Sequence, residues 1–310
     1  MTLSPTDRIH GINIVLMLAS CVLAFLFPYG LLLFSYVVLG PAHYLTQISW
    51  LHDRKYFSAQ SYTLPLFLML TLAIIFSSGS ISALFIVFAF LLGIPMILQT
   101  GHAVYALLIA LCFGIAFSVV VFGKEIGVFM ALLLPTVIHV FFFTLNFILA
   151  GTVKERSAAG YASLATMLAC AASFFVLPSS VWPSVTHSES PGIAFFQHVA
   201  NYLQNILNLS DDGNSILKLF SFLSFAYTYH YLNWFSKTRV IRWHLIPKTR
   251  LYFIVFLYIM ALALYAYDFT LGFYVLLFLS VLHVLLEFPL NWRTFVLLTK
   301  SALHGLNPVK

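Results

Sequence analysis

Residues 222–244 read FLSFAYTYHYLNWFSKTRVIRWH. The stretch opens apolar and aromatic and closes on Lys237, Arg239, Arg242 and His244. That is the pattern of a membrane helix leaving hydrocarbon for a basic, water-facing loop. His230 lies near the join, with Asn233 about one turn further on. Hydrocarbon offers an imidazole no solvent, so an ionisable residue at that depth marks a candidate site.

The rest of the chain has the same character. Of 310 residues, 62% are hydrophobic and 8% charged, where a soluble domain carries about 25% charged residues. Apolar runs of about 18 or more residues recur from end to end. They predict an all-α polytopic transmembrane bundle, a single integral membrane domain over residues 1–310. Met1 to Ile9 is polar, but no small-residue cleavage site follows the first apolar run, which is therefore read as a span.

About ten spans are expected, at roughly 10–28, 30–51, 62–78, 81–98, 102–122, 126–151, 160–178, 214–236, 250–267 and 270–291. Charge placement orients them. Arg8, Arg54, Lys55, Lys154, Arg156, Lys237, Arg239, Arg242, Lys248, Arg250, Arg293, Lys300 and Lys310 fall on one side, and only Lys124, with Lys218 just inside a span, on the other. Both termini are then cytoplasmic, as in a bacterial inner membrane. Residues 179–213 form an outer loop whose second half, GIAFFQHVANYLQNIL, reads as an interfacial amphipathic helix. Residues 292–310 read as an inner interfacial tail. Cys21, Cys112 and Cys170 lie inside spans without a CxxC pair and read as small buried apolar residues.

Eleven histidines against nine acidic residues is an unusual ratio. His43, His139, His230 and His283 sit on four predicted spans that run from outside to inside. Counted back from the inner ends, they lie roughly 9 to 18 Å deep at 1.5 Å per residue. His102 is shallower. Neutral imidazole is the commonest metal ligand, and helical bundles build metal sites from side chains projecting off facing helices. Glu287 follows His283 by one turn, on the same helix face. It could bind the ion or orient a ligand. A thiolate-free set of imidazoles with a carboxylate suits iron, and less specifically zinc or copper. Each single histidine could instead be a helix–helix hydrogen bonder, and His52 and His244 read as solvated.

GPAHYL (40–45), FAYTYHYLNWFSK (225–237) and LHVLLEF (282–288), in this order, resemble motifs of the Brp/Blh family of membrane β-carotene dioxygenases. The resemblance implies iron held by His43, His230 and His283, with a further histidine at His139 or, alternatively, His102. It implies cleavage of a carotenoid by dioxygen. The chain departs from the pattern in three places. The aspartate closing the first motif is absent. Trp234, with Asn233 beside it, replaces the second histidine of HxxxH. Glu287 stands one residue before the family's aspartate. Glu287 and Asn233 are the candidate catalytic residues.

These readings favour an iron-dependent membrane oxygenase with dioxygen and a long apolar substrate, a carotenoid or other isoprenoid lipid. The alternatives are a haem protein using two axial histidines, and a transporter or proton relay, for which Pro95 and Pro135 would mark helix kinks. Nucleic-acid binding has no support, because the basic residues follow the inner membrane surface.

Overall fold

The computed structural model describes residues 5–57, 61–77, 80–98, 134–178, 190–206, 214–242 and 245–303. Every regular element among them is a helix. Six are long and apolar enough to cross a membrane: Asp7–Leu26, Pro28–Asp53, Val137–Glu155, Ala158–Val176, Lys248–Tyr267 and Phe269–Leu303. Thr63–Phe76 and Ile81–Ile94 are apolar but shorter. The span expected at 102–122, and the start of that at 126–151, lie outside the described residues.

Local chemistry explains several boundaries. Pro28 ends one helix and opens the next, because proline restrains the residue before it yet suits a first turn. Arg156 turns the chain in the left-handed region at φ 52°. Ser157 then caps the next helix by accepting from the Gly160 amide at 3.0 Å. The helix Phe269–Leu303 runs unbroken through Pro289 for 35 residues, about 52 Å at 1.5 Å per residue. The expected inner tail is thus, as far as Leu303, a continuation of the last span.

The chain divides into two compact units, residues 1–45 with 140–276 and residues 46–139 with 277–310. The first is built around Asn214–Ser236, in which every residue from Phe220 to Tyr231 is buried. This helix is 23 residues long, but it is not among the six, because Ser221, Ser224, Thr228, His230 and Asn233 make it too polar. Those polar groups face protein. Pro5–Leu26 packs on it and on Ala158–Val176, through stacked Phe25 and Phe174 and through Phe174 on Phe225. Asn13 Oδ1 accepts from Tyr229 and Ser236, each at 3.3 Å. On another side, Ser35 meets Thr228 at 2.7 Å and Tyr36 meets Tyr227 at 3.1 Å through their hydroxyls. Within residues 179–213, Pro191–Ile206 forms a helix, with Phe196, Ala200 and Leu203 buried and Tyr202 exposed. Cys21 and Cys170 are buried and free.

In the second unit Thr63–Phe76 and Ser80–Leu98 pack as a hairpin, with the Ser82 hydroxyl donating to the Ile74 carbonyl at 3.0 Å. Ser80–Leu98 meets the last helix where Trp292 Nε1 donates to the Phe90 carbonyl at 2.7 Å. The approach is close because residue 93 is glycine. A Cβ there would stand 2.7 Å from the Trp292 ring and 3.2 Å from the Phe288 backbone.

Candidate metal centre

In the first unit the site forms where Gly40–Asp53 begins. A π-helical turn, Ser35–Leu39, comes just before it. Pro41 explains the irregularity, since it lacks the N–H that an α-helix would bond four residues back. Gly40 admits the next feature, because a Cβ there would stand 3.0 Å from the Tyr44 hydroxyl. His43 and Tyr44 then project toward Asn214–Ser236, where His230 and Tyr231 meet them.

His43 Nε2 and His230 Nε2 stand 3.1 Å apart. The other nitrogen of His230, Nδ1, lies 2.7 Å from the Thr144 hydroxyl. The Tyr44 and Tyr231 hydroxyls are 2.8 Å apart. The rings of Tyr231 and Trp234 close on His43 with centroids 4.9 and 5.5 Å away. Two nitrogens bound at about 2.1 Å to one ion stand about 3.0–3.4 Å apart for bond angles near 90–110°. The pair therefore fits adjacent ligand positions, and equally a hydrogen bond between rings. It does not fit the two axial ligands of a haem, which lie about 4 Å apart across the iron. Thr144 favours the ligand reading, for metal-binding histidines regularly donate their second N–H to an oxygen.

In the second unit His139 lies in the π-helix Leu134–Phe143, which opens on Pro135. Extra-residue turns of this kind recur at functional sites. His283 and Glu287 come from Phe269–Leu303. The rings of His139 and His283 meet edge to face with centroids 5.1 Å apart, and each offers a ring nitrogen within 4.8 Å of the other's. Glu287 Oε1 lies 3.7 Å from His139 Nδ1, and Glu287 Oε2 accepts from the Gln47 side-chain amide. Two imidazoles and a carboxylate are the donor set of many non-haem iron oxygenases.

His43, His139, His230, His283 and Glu287 are all nine-tenths or more buried. His102 lies outside the described residues. Asn233 is buried at 5% exposure, but its side-chain oxygen has no hydrogen-bond partner among the described residues. Trp234, not Asn233, faces His43. His52 is exposed beside Asp53, in keeping with a solvated role. Sequence reading passed over Thr144 and gave Gln47 no role. Threonine and glutamine on a helix carry no signal of their own until a partner is known. Pro41, two residues before His43, and Pro135, four before His139, were the available signals for the π-helical turns. Comparison with protein-family models, curated proteins and solved structures finds no match, so the functional reading rests on this geometry.

Proposed function

We propose that this chain is a metal-dependent membrane oxygenase, using non-haem iron and acting on a long apolar substrate such as a carotenoid or another isoprenoid lipid. The observation that carries the reading is the His43–His230 pair, with apposed Nε2 atoms and Thr144 on the outer nitrogen of His230. Within the second unit, His139 and His283 form a pair of their own, with Glu287 beside His139.

In this reading His43 and His230 are the metal ligands of the first unit, and His139 and His283 are the candidate ligands of the second. Thr144 fixes which nitrogen of His230 carries the proton, and Glu287 stands 3.7 Å from His139 Nδ1. Iron bound there supplies the redox chemistry with dioxygen. The aromatic rings of Trp234, Tyr231 and Tyr44 keep water from His43. Ten spans, cytoplasmic termini and a bacterial inner membrane complete the proposal, on the strength of the one-sided Lys and Arg distribution.

The test is metal analysis of the full chain purified from iron-replete cells. Iron in stoichiometric amount, with no Soret band, is the expected result. A well-folded preparation free of iron removes the proposal.

A further inference from the structure

We infer that Gln47 and Asn291 form a binding site for the hydroxyl end of a long apolar alcohol. The inference rests on the apolar substrate proposed above and names its polar end. Asn291 is 1% exposed, and neither atom of its side-chain amide has a hydrogen-bond partner among the described residues. The Gln47 oxygen, Oε1, is in the same condition, while its nitrogen donates to Glu287. Buried amide groups are costly to leave unmet. These atoms include a donor and acceptors, so they can meet an O–H group that both donates and accepts.

His283, Glu287 and Asn291 recur every four residues along one helix, so they form a stripe on one face. Helical side chains lean toward the N-terminus, which carries the Asn291 amide back over the turn that bears Glu287. Gln47 reaches the same carboxylate. Phe288 and Trp292 lie to one side of Asn291 on the helix, and the Phe90 ring packs on both, with centroids 5.1 and 4.8 Å away. Unmet polar atoms beside an aromatic cluster suit an apolar chain that ends in one hydroxyl. Eight residues separate Asn291 from His283, about 12 Å of helix. A chain anchored at Asn291 therefore presents to the histidines a carbon about that far from its hydroxyl.

Water could satisfy the same atoms, and equilibrium binding to the purified full chain separates the two. The probes are labelled phytol, a C20 isoprenoid alcohol, and phytane, the hydrocarbon of the same skeleton. Wild type is expected to prefer phytol by at least about tenfold. Asn291→Leu should lower phytol binding to the phytane level and leave phytane unchanged, and Asn291→Ser should keep part of the preference. A merely structural loss would weaken both probes alike and so overturn the inference. Equal binding of both by wild type also overturns it and leaves water as the occupant. Binding of neither removes the apolar substrate as well. Iron content of the same samples reports on the oxygenase reading separately.

Discussion

The two histidine pairs differ most in what stands behind them. In the first unit a neutral hydroxyl, Thr144, meets the outer nitrogen of His230 at 2.7 Å. In the second a carboxylate, Glu287, stands 3.7 Å from the outer nitrogen of His139, with its second oxygen held by Gln47. A hydroxyl can set a tautomer without adding charge. A buried carboxylate adds a charge that needs a cation nearby. The first pair thus has a neutral hydrogen-bond partner behind it, and the second a carboxyl group.

Removing a ligand from either pair should have the largest effect. His230→Ala and His283→Ala are each expected to reduce bound iron to background in purified protein. Iron retained in only one of them would show that the pairs do not serve one function. Next comes Glu287→Gln, expected to weaken Co(II) or Fe(II) binding by about 10–100-fold, the usual cost of losing a partner behind a metal ligand. The same change should raise the melting temperature of the metal-free chain, since it removes a buried charge. A lower melting temperature would count against an anionic Glu287. Thr144→Val should weaken metal binding less than Glu287→Gln does. It should cost about 1 kcal/mol in the metal-free protein, the net value of one hydrogen bond. If Thr144→Val were the more damaging for metal, the contrast between the pairs would be reversed.

Packing changes should leave metal binding alone. A Cβ at Gly160 would strike the Thr152 side chain, whereas one at Gly93 would meet the Phe288 backbone and the Trp292 ring. The Thr152 Cβ, 2.9 Å from the added carbon, is fixed to its backbone and cannot rotate aside, and the Phe288 backbone at 3.2 Å cannot either. Gly160→Ala and Gly93→Ala are therefore each expected to cost about 1–3 kcal/mol, read from denaturation with metal affinity unchanged. The smallest effect should come from Tyr231→Phe, which removes one hydroxyl from the Tyr44 pair and should cost about 1 kcal/mol.

The burial of the candidate residues was legible in the sequence. His43, His139, His230, His283 and Glu287 were singled out because such side chains have no reason to enter hydrocarbon singly, and each is buried. The pairing was not legible. His43 and His230 are 187 residues apart, and a common depth does not say which ring faces which. Asn233 shows the limit in the other direction: its position in the motif-like stretch suggested chemistry, but the ring beside it, Trp234, is the one that meets His43.

The sequence by itself determined that this chain is helical and that most of it belongs in a membrane. Those properties follow from apolar runs whose length alone matches a bilayer. It also determined which ionisable residues are out of place there, because the cost of burial belongs to the residue type. Only the tertiary structure decided that the polar face of Asn214–Ser236 is turned inward, with Thr228 on Ser35, Tyr227 on Tyr36 and His230 on His43. The physical reason is that hydrogen bonds between side chains are short and directional. Their partners are set by where helices distant in sequence come to lie.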